Sequence, residues 1–139
     1  MVLVDSNVLL DIFTADPDWL PWSQVALADA LLAGPVVINQ LVYAEVSVAY
    51  KNLAELDRAL SRLKIQHADL PWEAAHLAGQ AFVKYRRKSG AKTSPLPDFY
   101  IGAHAQIAGM ILLTRDARRY RTYFPKVKLI APRGKPAER

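Results

Sequence analysis

Three short aliphatic runs limit what this chain can become: "VLV" at 2–4, "PVVIN" at 35–39 and "MILLT" at 110–114. Each is bounded by turn-type residues, and none shows the apolar–polar alternation of a half-solvated strand. They are read as strands buried on both faces, which is the habit of parallel sheets. Parallel neighbours need crossovers of a dozen residues or more, normally helical. The spacing supplies them: helical patterns run over 6–13, 20–33, 40–50, 53–63, 72–88 and 98–108, with a short one near 116–122. Gly34–Pro35 and Gly90 mark helix ends, and Pro71 and Pro97 fall where first helical turns begin. "KIQHA" (64–68) and "KLIA" (128–131) are weaker strands, expected nearer the sheet edges. The expected fold is therefore α/β, three-layered, with a mostly parallel sheet between helices. Residues 1–131 read as a single domain, and 132–139, "PRGKPAER", as a flexible tail.

Several classes drop out on composition. There are no cysteines among the 139 residues, which excludes disulfides, iron–sulfur clusters and thiolate zinc sites. No apolar run approaches the length of a membrane span, and the N-terminus lacks a basic signal-peptide region, so a cytoplasmic protein is expected. The net charge of +5 conceals an asymmetry. Residues 1–83 hold four Lys/Arg against ten Asp/Glu, and residues 84–139 hold fourteen against three, so −6 gives way to +11. A basic region of that size suits a phosphate backbone. Only Asp98, Asp116 and the near-terminal Glu138 are acidic within it.

Ligand sites of open parallel sheets lie beyond the carboxyl ends of the strands. Asp5 ends the first run, Asp116 follows "MILLT" by one residue, Glu45 is placed early in the helix after "PVVIN", and Asp98 follows Pro97 in a first helical turn. All four are expected on one edge of the sheet. Taken singly, Asp98 and Asp116 could be helix caps. Glu45 interrupts an apolar helix, and a strand-end acid such as Asp5 gains little from capping. Four carboxylates without thiolates suit a hard cation, Mg²⁺ or Mn²⁺. His67, His76 and His104 are scattered and read as structural or surface residues, and Gly102, one turn beyond Asp98, as leaving that face open. Carboxylate-held divalent ions in a basic surround suggest phosphodiester hydrolysis.

Competing motifs fail. No G-x-G-x-x-G occurs, and in "SGAKTS" (89–94) Ala91 separates the glycine from the lysine of a P-loop ending. The serines lack the paired glycines of a nucleophile elbow. The tryptophans of "PDWLPWSQ" (17–24) are read as core or dimer packing.

Four segments together, "VDSNVLLD", "VYAEVSVAY", "LPDFYIGAHA" and "LLTRDARRY", resemble the PIN-domain ribonucleases, and within them the VapC toxins of toxin–antitoxin pairs. The resemblance covers nearly the whole chain apart from the tail. It implies a five-stranded parallel sheet and Mg²⁺- or Mn²⁺-dependent endoribonuclease activity, with the family's acidic positions on Asp5, Glu45, Asp98 and Asp116. Asn7 and Thr114 match polar residues that support metal or water, and Asp11 is a lesser candidate beside them. It further implies structured RNA such as tRNA as substrate, a homodimer, and inhibition by a small VapB-like antitoxin. Arg86, Arg87, Lys88, Arg115, Arg118 and Arg119 are expected to bind RNA. The alternatives are a nucleic-acid-binding module with structural acids and a receiver-like domain that accepts a phosphoryl group; the latter needs a lysine past a late strand, for which Arg115 and Lys126 are poor matches.

Overall fold

The aliphatic runs form the centre of one parallel sheet. The computed structural model describes residues 1–89 and 96–134. Strands β1 (Val2–Val4), β2 (Val36–Ile38) and β4 (Ile111–Leu113) lie side by side, with β3 (Gln66–His67) and β5 (Leu129–Ile130) at the two edges, in the order β3-β2-β1-β4-β5. All four pairings are parallel. Val2, Leu3 and Val4 are buried together with all of β2, as expected for strands covered on both faces. The edge strands are the short and exposed ones, β3 outright and β5 in part.

Seven helices connect these strands among the described residues: α1 (Ser6–Phe13), α2 (Leu20–Ala33), α3 (Gln40–Val46), α4 (Leu53–Arg62), α5 (Trp72–Ser89), α6 (Leu96–Ala108) and α7 (Arg118–Tyr123). The first two match the spacing residue for residue. The helix expected over 40–50 instead stops at Val46 and tightens into a 3-10 turn over Ser47–Ala49. Ser47 explains the break, since its N–H and its hydroxyl (2.7 Å) both donate to the Tyr43 carbonyl. The stop expected at Gly90, most of "SGAKTS", and residues 135–139 of the expected tail lie outside the described residues.

The chain places β2 and β3 to one side of β1, then crosses to β4 on the other side. Strand order therefore reverses between β1 and β4, the position where open α/β sheets leave a crevice. An aromatic cluster fixes the helices that overhang it. Phe99 on α6 meets Tyr85 of α5 at 5.5 Å and Tyr123 of α7 at 5.2 Å between ring centroids. Phe124 packs so closely on α6 that a Cβ at Gly102 would stand 2.4 Å from its ring. Gly102 thus serves core packing against Phe124, and the expectation that it keeps the Asp98 face open is corrected.

Candidate active site

Asp5 is the N-cap of α1, which corrects the expectation that a strand-end acid gains little from capping, and its burial is matched by donors on both oxygens. Oδ1 accepts the Ser6 N–H at 2.7 Å, while Oδ2 accepts the Thr114 and Tyr120 hydroxyls at 2.9 Å each. A buried carboxylate without such partners is strongly disfavoured. Burial still dominates: it pushes the Asp5 carboxyl above its ordinary pKa, the Thr114 and Tyr120 hydrogen bonds oppose it, and the charge of Asp98 adds to it.

Glu45 joins through Ser6, whose hydroxyl donates to Oε1 at 3.0 Å and lies 3.4 Å from Asp5 Oδ1. Expected early in its helix, Glu45 instead sits in the last turn, because α3 ends at Val46. Burial raises its pKa, the Ser6 bond opposes this, and Asp5 and Asp98 raise it further. Asp98, in the first turn of α6, is raised chiefly by burial and also by Asp116, with Arg119 working the other way. Asp116 is exposed just beyond β4, its N–H donating to Thr114 Oγ1 at 3.1 Å. The four acids from four separated stretches of chain thus stand at one edge of the sheet, close enough for their charges to act on one another.

Asn7 and Thr114 knit that edge together. Asn7 Nδ2 donates to Thr114 Oγ1 at 3.2 Å, and its Oδ1 accepts the Arg115 N–H at 3.3 Å. Asp11 lies apart from the cluster: buried, it accepts Ser23 Oγ at 2.8 Å and pairs with Arg115 Nε at 2.9 Å. The Arg115 guanidinium also rests 5.4 Å from the Trp19 ring centroid. Arg119 Nη1 is 2.5 Å from Asp98 Oδ2. Arg115 and Arg119 are therefore engaged with carboxylates, whereas Arg86, Arg87, Lys88 and Arg118 are exposed. His104 is buried against Asn39, Nδ1 to Nδ2 at 3.1 Å, in a structural pairing.

Two contributors escaped the sequence. Ser6 bridges Asp5 and Glu45, acids 40 positions apart, and Tyr120 reaches an acid 115 residues away. Ser6 had a local signal, a small hydroxyl directly after a strand-end acid. Tyr120 had none beyond its place four residues after Asp116.

The donor set is hard carboxylate oxygen, the chemistry of Mg²⁺ and Mn²⁺. Among the described residues neither Asp5 nor Glu45 has a cationic partner, so net negative charge is left for a cation to neutralise. Among the described residues no group of three or more His, Cys, Asp or Glu side chains is arranged to hold a metal ion. The residues fit a divalent ion in kind and charge.

The PIN-domain family profile matches residues 2–125. The chain belongs to the PIN-domain family. This PIN domain superposes on a chain of the VapBC2 complex of Rickettsia felis bound to promoter DNA, with 16% identity and a TM-score of 0.69 over 94% of this chain and 98% of that one. It likewise superposes on a chain of a toxin–antitoxin complex from Klebsiella pneumoniae (25%, 0.60, 91% and 95%). DNA-bound VapBC of Salmonella typhimurium gives 18%, 0.65, 94% and 96%. No curated protein matches the chain. The PIN domain's strand order also differs from the 2-1-3-4-5 of receiver-like folds, which sets that reading aside. Among the described residues no helix is long and apolar enough to cross a membrane.

Proposed function

We propose that this PIN domain is a Mg²⁺- or Mn²⁺-dependent endoribonuclease and the toxin of a toxin–antitoxin pair, acting on structured RNA such as tRNA. The observation that carries the reading is the gathering of Asp5, Glu45, Asp98 and Asp116 at one edge of a PIN-fold sheet, through the Ser6, Thr114 and Tyr120 hydrogen bonds, together with the exposure of Arg86, Arg87, Lys88 and Arg118. PIN-domain membership supports a nuclease, and the likeness to chains of VapBC complexes supports a VapB-like antitoxin as partner. A homodimer is proposed on the same family ground.

Asp5, Asp98 and Asp116 would hold the ion, with Glu45 beside them. A divalent ion there would lower the pKa of a water and neutralise charge on the scissile phosphate and leaving oxygen. Asp5 is oriented for this by Ser6, Thr114 and Tyr120, which fix its carboxylate plane. Glu45, its basicity raised by burial and its Oε1 anchored by Ser6, would take the proton of the attacking water. Asn7 ties α1 to the segment after β4, keeping Asp5 and Asp116 in register. The exposed arginines and Lys88 would hold flanking phosphates.

The test is incubation of purified protein with total RNA in Mg²⁺, Mn²⁺ or EDTA. Defined fragments that disappear in EDTA are expected. Metal-indifferent binding without cleavage would support the binding-module alternative instead.

A further inference from the structure

Arg119 occupies one carboxylate oxygen of Asp98, a member of the four-acid cluster. Its Nη1 touches Asp98 Oδ2 at 2.5 Å, and both side chains are about one-third exposed, 34% and 32%. The guanidinium lies 5.8 Å from the centroid of Tyr85, a ring packed in turn on Phe99 and Tyr123. Arg119 therefore sits between an aromatic platform shared by α5, α6 and α7 and one member of the four-acid cluster. Among the described residues it is the cation bonded to the four-acid cluster; the other ion pair, Arg115–Asp11, lies outside it.

We propose that Arg119 is a built-in counter-ion that competes with the divalent cation for Asp98 and, once displaced, turns to an RNA phosphate. The proposal rests on the metal-dependent nuclease reading and adds a positioning residue that couples ion loading to substrate grip. A carboxylate oxygen held by a guanidinium is a poor ligand for a hard dication, and two positive centres sharing one carboxylate repel. The existing pair is about one-third exposed, so it is weak enough to be broken by a competing ion. The planar guanidinium can stay over Tyr85 while its donors rotate from a carboxylate to a phosphate, which it matches equally well. Displacement would thus supply a phosphate-binding group beside the site when the ion arrives.

The experiment is Mn²⁺ titration of RNA-free wild type, Arg119→Gln and Arg119→Lys, followed by loss of the free Mn²⁺ resonance. RNA cleavage at saturating Mn²⁺ is then measured for each. Arg119→Gln should bind Mn²⁺ more tightly, by about fivefold, the upper range for releasing an exposed ion pair. It should also show a raised KM for RNA. Arg119→Lys keeps the charge but loses the planar fork, so its Mn²⁺ affinity should stay near wild type while KM still rises. Unfolded-fraction controls by circular dichroism exclude a folding defect as the cause of raised KM, and a folding defect would in any case not tighten Mn²⁺ binding. Wild type that binds Mn²⁺ and cleaves, with equal or weaker Mn²⁺ affinity in Arg119→Gln, overturns the role of Arg119 alone. Wild type that binds no Mn²⁺ overturns it together with the metal-dependent reading.

Discussion

The phenolic oxygen of Tyr120 lies 2.9 Å from Asp5 Oδ2 and donates to it, although the two residues are separated by most of the chain. Both are buried, with 2% and 3% exposure. Burial and the neighbouring carboxylates push the phenol well above its ordinary pKa, so it remains a donor at all working pH values. Tyr120→Phe keeps the ring and removes the donor. It should destabilise the protein by about 1.5–3 kcal/mol at neutral pH, the range for a hydrogen bond to a charged group. Urea unfolding in EDTA measures this, and a loss indistinguishable from zero would show that Thr114 and Ser6 suffice for Asp5.

Arg115, expected to bind RNA, contacts Asp11, Trp19 and, through its N–H, Asn7. Arg115→Ala should leave Asp11 buried with Ser23 as its remaining side-chain partner. Breaking such a pair costs roughly 3–5 kcal/mol when fully buried, and the partial exposure of Arg115 lowers the expectation to about 2–4. The double variant Asp11→Asn/Arg115→Ala should be more stable than Arg115→Ala alone. If Arg115→Ala is harmless in urea but weakens RNA binding, the arginine serves RNA after all.

What the sequence disclosed was the periodic part. Aliphatic runs of three to five residues, helix spacing and turn residues located all five strands and pointed to Asp5, Asp98 and Asp116 near the carboxyl edge, with Glu45 on the helix after β2. Strand ends are local facts, and parallel topology does the rest. What it withheld depends on partners far along the chain. The Ser6–Glu45 bridge, the Tyr120–Asp5 bond and the fit of Phe124 against Gly102 have no signature in spacing. The early end of α3 was hidden for a different reason: Ser47 bonds back to Tyr43, and a serine in an apolar helical pattern does not announce that choice.

Gly102 supplies a sharp packing test. A methyl there would lie 2.4 and 2.7 Å from two Phe124 ring atoms, and Phe124 is itself 1% exposed and has little room to retreat. Gly102→Ala should cost about 1–3 kcal/mol, the usual penalty of overpacking. Phe124→Leu added to it should recover part of the loss. Additive destabilisation in the double variant would mean the two sites do not collide.

The exposed end of α5 separates binding from chemistry. Arg86 lies 5.9 Å from the Phe82 ring centroid and is exposed, as is Arg87. Neutralising both should weaken RNA binding and flatten its dependence on salt, by about 0.7–0.9 in log–log slope for each phosphate no longer neutralised. Filter binding from 50 to 200 mM salt (roughly the range over which such ion pairs are screened) provides the measurement. An unchanged slope would return this helix end to an ordinary solvated face.

The pH dependence of stability follows from the direction in which the acids are shifted. Asp5, Glu45 and Asp98 are all raised, with burial the largest cause in each and mutual repulsion a smaller one. A raised carboxyl binds its proton more tightly in the folded chain than in the unfolded one. Its stabilising contribution is therefore complete below the ordinary carboxylate range, ~4, and is lost as pH rises through the folded pKa. In EDTA the melting temperature should accordingly fall as pH rises from the ordinary carboxylate range towards neutrality. Asp16 acts in the opposite sense, since the Trp19 and Asp18 N–H groups lower its pKa and its contribution disappears on acidification. The stability maximum should thus lie on the acid side of neutrality but not at its extreme. Glu45→Gln removes one buried charge while leaving an amide oxygen to accept the Ser6 hydroxyl. It should flatten the decline and melt at or above wild type in EDTA at pH 7, yet lose RNA cleavage. Calorimetry across that pH range decides it: a variant that melts far below wild type would make Glu45 a structural partner of Ser6 rather than an acid held at a stability cost for chemistry.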